Sequence, residues 1–316
     1  MKVEGNEFSG CQLGFQAGQS ANLAVMRVPW LHYEVYDIKF INNVLHDIPG
    51  VGMSISGAYN ALLAHNTLYR VGTSTANGFA LSQFVQGERG CTPTDDIPDP
   101  VASCTALVQQ GAWGPDFQTE NVSAISNRNI YVFNNIFFNP APSQTLYSHF
   151  AANGPQALPA GFRNAPAPAK TDDNLVIAGN LIWNGPADHP LGVGNAGEGC
   201  EASNPTCNPA QLAVSNTVNL LLPQLADPEH GDFRPAAGGN VFTATTYLAP
   251  SFTWSDAPAA PAVPAGNLAN TISMDRAGSR RSAASPPGAY SAFVPSSAGT
   301  YATYLPVVTR IYSGGW

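Results

Sequence analysis

The chain carries little charge, and positive charge is especially scarce. Lys and Arg together number 13, Asp and Glu 21, and charged residues make up 11% of the 316 positions, against about a quarter in an ordinary domain. The only lysines are Lys2, Lys39 and Lys170. A net charge of -8 disfavours nucleic acid and anionic membrane surfaces as partners, because both repel a negative protein.

The sequence also lacks long apolar runs. No stretch reaches the roughly eighteen apolar residues that a membrane span needs, so we expect no membrane span. No charged-then-apolar leader precedes the first residues, and Met1 to Phe8 already fit the repeat described below. We therefore expect the chain to begin partway along a longer protein, the alternative being a natural start with an unusual cap.

Cysteines are few and odd in number. The five include two pairs that flank short loops, Cys91 with Cys104 and Cys200 with Cys207, which predicts two disulfides in an oxidising compartment. Metal ligation is the alternative, although neither pair has a C-x-x-C spacing or a neighbouring His. Cys11 is left over, either as a small buried residue or as the mate of a lost partner.

Glycine, proline and one repeated pattern are abundant. Gly numbers 30 and Pro 27, which favours a turn-rich β protein. In the repeat an apolar residue is followed three positions later by Asn and two positions after that by a second apolar residue. The repeated asparagines are Asn6, Asn43, Asn66, Asn135 and Asn180.

The spacing of these asparagines predicts stacked coils. Their separations are 37, 23, 69 and 45 residues. With 23 residues as one turn, we interpret the gaps as one turn plus a loop, one turn, three turns and nearly two. Each coil is predicted to contain a strand before the Asn, a corner at the Asn, a short apolar pair and a Gly-led strand. Stacking would align the five asparagines as a structural ladder.

Three later motifs carry a resemblance to a known group. They are GDFRPAAGG at 231–239, DRAGSR at 275–280 and PPGAYS at 286–291. With the repeats, they make the chain similar to secreted bacterial right-handed parallel β-helix proteins of the pectate-lyase-like superfold. The resemblance implies an all-β right-handed parallel β-helix, secretion and contact with polysaccharide. Members commonly have an acidic residue after GAY, whereas Ser291 stands here.

The predicted organisation is one repeat body followed by a tail. Residues 1–248 are expected to form the coils, with loop insertions at 85–127, 153–173 and 195–208, none of which has a helical period. Residues 249–316 begin with a Pro/Ala-rich stretch and are expected to extend along the coils or cap them.

A substrate-binding face is predicted on the Gly-led strands. If large apolar residues such as Phe15, Met53 and Leu81 point inward, alternation directs their neighbours outward. The predicted outward residues include Gln16, Ser54, Ser56, Ala80 and Ser82. In the 85–127 insertion, Arg89 could reach the same groove, the alternative being a surface or loop-anchoring role, and Trp113 could offer a sugar ring an exposed stacking platform.

Catalytic residues are harder to place. The Lys or Arg base and the acidic calcium ligands that the resemblance implies have no match on these strands. Asp188 and His189 are adjacent, and His149 lies one or two coils earlier, so these three form an acid and imidazole cluster in which a carboxylate could orient a general base. The alternative is that they anchor turns and bond backbone groups.

No cofactor is certain, although calcium is a possibility. Acidic loops contain Asp95, Asp96 and Asp99, and also Asp172 and Asp173, whose oxygens could hold Ca²⁺. A solvated acidic loop is the alternative.

Two functions of different class therefore remain open. The first is a secreted protein associated with extracellular polysaccharide, either a lyase or a glycoside hydrolase if it is an enzyme. The second is a non-catalytic structural, adhesion or filament-forming surface protein that self-associates through its coil ends.

Overall fold

A computed structural model describes most of the repeat region. The residues described are 1–18, 35–74, 78–84, 86–87, 124–125, 127–141, 150–152, 172–185, 209–252, 267–283 and 285–292. These residues are rich in strands, and most of the strand pairs are parallel. The protein is therefore all-β in class, as the sequence predicts.

The strands form three parallel sheets, here named A, B and C. Sheet A contains β1 (Lys2–Glu4), β4 (Val35–Ile41), β7 (Ala58–Ala64), β12 (Asn127–Phe133) and β15 (Asp172–Ala178). Sheet B contains β2 (Glu7–Ser9), β5 (Val44–Ile48), β8 (Thr67–Val71), β13 (Ile136–Asn139), β16 (Leu181–Asn184) and β17 (Thr217–Val218). Sheet C contains β3 (Leu13–Ala17), β6 (Val51–Ser56), β9 (Phe79–Phe84) and β14 (Phe150–Ala152).

The remaining elements lie between and after these strands. β10 (Gln86–Gly87) and β11 (Ala124–Ile125) form an antiparallel pair, as do β18 (Leu225–Asp227) and β19 (Asp232–Pro235). Helix α1 spans Pro209–Ser215, and 3-10 turns span Pro228–His230 and Asn240–Thr243.

The chain visits the three sheets in turn. After each sheet C strand comes a sheet A strand, then a sheet B strand, and each strand pairs in parallel with the strand of the next round. We use "coil" for one such round. This order is compatible with a parallel β-helix, and it assigns the predicted parts of the repeat: the strand before the Asn to sheet A, the apolar pair after it to sheet B, and the Gly-led strand to sheet C.

The interpretation of the long gaps as several turns was wrong. Strand β7 pairs directly with β12, and β12 pairs directly with β15, so the gaps of 69 and 45 residues each span a single coil. Most of the extra residues of the 69-residue gap come between β10 and β11 in the chain. The antiparallel pairing of these two strands brings Gly87 beside Ala124. Strand pairing counts coils, whereas sequence spacing counts coils and insertions together.

The core lies between the three sheets and consists of aliphatic and aromatic side chains. Phe40, Leu45, Met53 and Ile55 are fully buried in it, and the Phe15 and Phe40 rings stack at 4.1 Å. These residues come from all three sheets, so each sheet contributes one face to the same interior. Burial of this apolar area is the main favourable contribution to folding.

The outer faces of sheets A and B are covered by the later part of the chain. We call residues 221–252, 267–283 and 285–292 the C-terminal cover. On sheet B, Leu225, Phe233, Val241 and Ala289 pack in one apolar cluster with Tyr69, Ile136 and other strand residues. On sheet A, Phe252 stacks on Tyr131 at 5.5 Å, and Leu268 and Ile272 join the same cluster. The segment that packs on the outside thus begins at residue 221, earlier in the chain than residue 249, where the tail was predicted to begin.

One end of the stack is closed by helix α1. Leu212 of this helix is buried in the main core, and the helix contacts β15 and β17. The sequence predicts that residues 249–316 extend along the coils or cap them, whereas the helix that closes this end is Pro209–Ser215. In the part of the chain that the structure describes, no helix is long and apolar enough to cross a membrane.

Candidate functional site

The predicted asparagine ladder is a continuous row of hydrogen bonds. In each coil the backbone N–H and the side-chain amide of the Asn both donate to Oδ1 of the Asn in the next coil. The Nδ2 to Oδ1 distances for Asn6, Asn43, Asn66, Asn135 and Asn180 as donors are 3.1, 3.1, 2.9, 2.9 and 2.8 Å. The final acceptor is Asn216, which the sequence analysis did not include because a helix replaces the strand before it. These residues hold the coils together and are unavailable for ligand.

A second row of polar side chains runs along sheet A. Each member lies six positions before a ladder asparagine, and each has a positive φ: Asp37, Asn60, Asn129 and Asn174. The amide of Asn60 donates to Asp37 at 3.1 Å, that of Asn129 to Asn60 at 2.8 Å, and that of Asn174 to Asn129 at 2.8 Å. The signal for this row was present in the sequence, as Asp or Asn at a fixed offset in every complete repeat.

Predicted substrate-binding residues lie in register on sheet C. Gln16 of β3 is the Cα partner of Ser54 of β6, and Ser54 is the partner of Ser82 of β9. Gln16 is exposed, whereas Ser54 and Ser56 each retain only 8% of their surface. Because their neighbours Met53 and Ile55 are core residues, alternation directs the two serines to the outer face. Arg89 and Trp113 lie outside the described residues.

The prediction that Ala80 points outward was wrong. Ala80 is 1% exposed and belongs to the main core. Its register partners are Gly52 and, one coil earlier, Gly14, where an added Cβ would lie 2.4 Å from Val71 and 2.8 Å from Leu45 respectively. Ala80 and Leu81 both belong to the core, so two successive residues face the interior here, and the crowding at Gly14 and Gly52 shows that the first of them must be small.

Three long connections of the chain follow strands of sheet C, and a fourth, residues 185–208, follows β16 of sheet B. The connection from β3 to β4 covers residues 18–34, that from β9 to β12 includes residues 88–123, and that from β14 to β15 covers residues 153–171. By contrast, only Gly57 separates β6 from β7. Three of the four sheet C strands are therefore followed by a long connection, and loops attached to one edge of a rigid scaffold are common places for binding residues.

The predicted catalytic residues His149, Asp188 and His189 lie outside the described residues. So do Cys91, Cys104, Cys200 and Cys207, while Cys11 is a free, half-buried cysteine. Of the acidic residues suggested for calcium, Asp172 and Asp173 contribute backbone to β15 and the others are outside the described ranges. Across the described residues, no group of three or more His, Cys, Asp or Glu side chains is arranged to hold a metal ion.

A charged network on sheet B connects three coils with the cover. His46 Nδ1 lies 2.7 Å from Asp47 Oδ2, and His46 Nε2 lies 3.2 Å from Glu7 Oε1. Arg70 then joins Asp47 and Glu229, both at 2.7 Å. Glu229 also accepts a hydrogen bond from the Tyr69 hydroxyl. Every group in this network faces an opposite charge or a hydrogen-bond partner.

The network shifts the pKa values of its members. The hydrogen bond that His46 donates to Glu7 raises the pKa of His46, with a smaller effect from Asp47, and the same contact lowers the pKa of Glu7. Burial alone would raise the pKa of Asp47, but hydrogen bonds from His46 and Arg70 outweigh it and lower that pKa. Burial, assisted by Glu229, raises the pKa of Tyr69 to about 12. The contacts with Glu7 and Asp47 therefore favour the charged form of His46, while Tyr69 and Arg70 join the network to Glu229 of the cover.

The motifs that carry the family resemblance attach the cover to the coils. In the 275–280 motif, Arg276 donates to Gly5 O at 2.6 Å, to Glu7 Oε2 at 3.0 Å and to the backbone carbonyl of Asn6. In the 286–291 motif, Gly288 N–H donates to Asn134 O at 2.8 Å, and Ala289 N–H donates to Thr67 at 2.9 Å. These conspicuous motifs are thus structural in the described residues.

Ser291 has a local role of its own. Its N–H and its hydroxyl both donate to Asp275 Oδ2, at 2.7 and 2.8 Å, while Asp275 Oδ1 accepts from the N–H groups of Ala277 and Ser279, both at 2.8 Å. Asp275 thereby joins the two motifs. An ionised acidic residue at position 291 has no side-chain proton to donate to Asp275, so the departure from the related pattern adds one hydrogen bond here.

Comparisons with known proteins do not extend this description. No protein-family model, no curated protein and no solved structure matches the chain. The resemblance therefore remains one of motifs and repeat pattern, and the structure supports its coarser content, a fold of mostly parallel sheets compatible with a β-helix.

Proposed function

We propose that the chain is a secreted right-handed parallel β-helix that binds an extended polysaccharide along the outer face of sheet C. One observation carries the proposal: the cover packs on the outer faces of sheets A and B, whereas sheet C carries the exposed side chain of Gln16, with Ser54 and Ser82 at the register positions beside it on adjacent strands. Adjacent strands are about 4.8 Å apart, so this row offers polar groups at regular intervals along the stack.

The chemistry of this row suits a neutral or weakly charged glycan. Amide and hydroxyl groups can each donate and accept, as sugar hydroxyls do. Among the described residues of sheet C, no Lys or Arg lies on the strands, so a uronate carboxylate would find no cation there. Arg89 and Trp113 of the 85–127 insertion are proposed as further contacts with the glycan.

Binding is the function that we propose, and catalysis is assigned only as a hypothesis to His149, Asp188 and His189. The described polar network at His46 does not support an active site, because its groups are occupied with one another and with the cover. A lyase or hydrolase reaction would therefore depend on the later insertions.

The test is binding to a panel of neutral and uronate-containing glycans by affinity electrophoresis, with release of reducing or unsaturated ends measured in parallel. The variant Gln16→Ala combined with Ser54→Ala should weaken binding about tenfold or more, since two neutral hydrogen bonds contribute about 0.5–1.5 kcal/mol each. Ser273→Ala, an exposed serine of the cover, is the matched control and should bind normally. Equal binding by both variants would remove sheet C as the site.

A further inference from the structure

A histidine lies buried where the C-terminal cover meets a corner of the coils. His65 and Asn134 occupy equivalent corner positions in adjacent coils, each one residue before a ladder asparagine, and both have a positive φ. His65 is 8% exposed, and Nδ2 of Asn134 lies 3.2 Å from its Nε2. The orientation of the Asn134 amide therefore decides which hydrogen-bonding role the ring can take.

Tyr247 of the cover fixes that orientation. Its backbone N–H donates to Asn134 Oδ1 at 3.0 Å, and its carbonyl accepts from Asn134 Nδ2 at 2.8 Å. A flipped amide would lose both bonds, because a backbone N–H only donates and a carbonyl only accepts. The second Nδ2 proton of Asn134 is consequently directed at His65 Nε2, which accepts it with a lone pair. His65 is thereby held neutral, with its own proton on Nδ1.

The corner offers no acceptor for a second proton on the ring. Protonation of His65 would set Nε2–H against the Nδ2–H of Asn134, so that two donors face each other. Nδ1 is buried and has no well-placed hydrogen-bond partner among the described residues, although the Gly288 backbone offsets a small part of the lowered pKa of the ring. The charged form of His65 therefore does not fit the closed corner.

The charged groups around this corner come from the cover and from the first coil. Burial is the first cause of the lowered pKa of His65, and the Arg281 cation of the cover is the second. Burial lowers the pKa of Arg281 to about 10, with Asp275 opposing, so Arg281 stays a cation in neutral and acidic solution. Glu4 of the first coil accepts from the Asn42 amide. Neither carboxylate is bonded to the His65 ring in the described structure, so neither favours its protonation directly.

The same corner holds two separate parts of the cover. Tyr247 is attached through the Asn134 side chain, and Gly288 N–H donates to the Asn134 carbonyl at 2.8 Å. The Arg281 guanidinium donates to the Gly288 carbonyl at 2.7 Å. Residues 285–289 are all buried in this arrangement. A change at the His65 ring therefore acts on both attachments.

We propose that His65 is a pH-sensitive latch, whose protonation releases Tyr247 and residues 285–289 from the coils. The charged ring donates from both nitrogens, so it displaces the Asn134 amide and breaks the bonds of that amide to Tyr247. The charge also lies near Arg281, which holds the Gly288 carbonyl. The ladder asparagines bond to one another and to backbone carbonyls, so the coils stay folded while the cover opens.

Acid acts selectively on this latch among the three histidines that the structure describes. His46 and His230 bond to carboxylates, chiefly Glu7 and Asp227, which raise their pKa values, so the fold favours their charged forms. The pKa of His65 is lowered instead. Because the open form takes up a proton near the ordinary pKa of about 6.5, the ratio of open to closed molecules rises by up to about tenfold for each pH unit below it.

The test is amide hydrogen exchange of the full chain, followed by NMR between pH 7.5 and pH 5 and expressed as protection relative to the intrinsic rate at each pH. Protection of the Tyr247, Gly288 and Ala289 amides should fall by up to about tenfold per pH unit below about 6.5. The ladder amide of Asn66 should keep its protection. At pH 7.5 the ring nitrogen shifts of His65 should show a proton on Nδ1 and none on Nε2.

His65→Asn should abolish the pH dependence at the three cover amides, because asparagine does not titrate and adopts a positive φ readily. The matched control is His230→Asn, which removes an exposed histidine of the cover and should keep the wild-type pH dependence. Circular dichroism would establish that both variants are folded.

Four results would each overturn the latch. They are protection at Gly288 that does not change with pH, a fall in protection shared equally by Asn66, a folded His65→Asn variant with the wild-type pH dependence, and a proton on Nε2 of His65 at pH 7.5. The ring measurement needs only the wild type, so it decides the matter even where His65→Asn does not fold. Glycan binding enters none of these measurements, so this proposal and the one for sheet C fail independently.

Discussion

The corner residues of the repeat share one left-handed (αL) backbone conformation but carry different side chains. The residue before each ladder asparagine has a positive φ, and these residues are Gly5, Asn42, His65, Asn134 and Gly179. Gly and Asn are common in this conformation, whereas His is less so. His65 is also buried, and the Asn134 amide donates to its Nε2 at 3.2 Å. The corner thus contains one titratable residue in a row of neutral ones.

Burial lowers the pKa of His65 well below the ordinary 6.5, with the nearby Arg281 cation acting in the same direction. The unfolded chain therefore binds a proton more readily, so this residue contributes a loss of stability that grows as pH falls below about 6.5. His65→Asn, which introduces the residue type found at two of the four equivalent corners, should reduce that loss. The unfolding temperatures of the wild type and the variant, each measured at pH 5 and pH 7.5, test this prediction. If the difference between the two pH values is the same in both proteins, the assignment to His65 is contradicted.

The ladder makes a second prediction at the residue scale. Asn66 is fully buried, accepts from Asn43 and donates to Phe40 O and Asn135, so Asn66→Ala leaves several buried groups unpaired. We expect a loss of about 3 kcal/mol in the free energy of unfolding, measured by urea denaturation. Asn6→Ala at the half-exposed end of the ladder is the control and should cost about 1 kcal/mol. Equal losses would mean that position in the ladder does not matter.

At the scale of elements, the attachment of the cover depends on a glycine. Gly288 has φ +91°, and an added Cβ would lie 2.6 Å from Ile136 Cδ1 and 2.8 Å from Thr67 Oγ1. Gly278 has φ +81° but nothing within 4 Å of its Cβ position. The two positions therefore share backbone strain and differ in steric contact.

Gly288→Ala should release the 285–292 segment from the corner at Asn134, while Gly278→Ala should cost only about 1 kcal/mol of backbone strain. Hydrogen exchange of residues 285–292 and of β8 and β13 measures the release, and protection should fall much more in the first variant. Similar exchange in both variants would show that strain, and not the close contact, governs attachment.

At the scale of the whole molecule, two histidines oppose each other. His46 has a raised pKa, so its contribution is fully present below about 6.5 and is lost as pH rises through its folded pKa. His65 has a lowered pKa, so it reduces the stability of the folded chain as pH falls below about 6.5. These two residues together favour a stability maximum near that pH.

His46→Gln should remove the loss of stability that His46 causes as pH rises, because a neutral amide does not titrate. Unfolding free energies between pH 6 and pH 9 would show a shallower slope in this variant than in the wild type. A fully parallel pH profile would exclude His46 as the titrating group. The pKa values of Glu7 and Asp47 are lowered, so both groups stay ionised between pH 6 and pH 9. Their contributions to stability therefore do not change the slope over this range.

The repeat itself could be predicted because its signal is local. The Asn offset and the Gly-led strands assign residues to sheets A, B and C, and alternation correctly places Met53 and Ile55 inside. Ala80 was placed wrongly because a bend puts two successive residues inside, and alternation assumes a regular strand. The coil count was wrong because an insertion is invisible to spacing.

The sequence by itself determined the repeat, the ladder and the class of fold, because short-range spacing is enough to choose strands and corners. Only the tertiary structure decided what the later motifs do. Arg276 binds the first coil from 269 to 271 residues away, and Gly288 occupies a corner built by Thr67 and Ile136. Such contacts depend on where the chain returns in space, and that return also leaves sheet C as the face on which we propose that function lies.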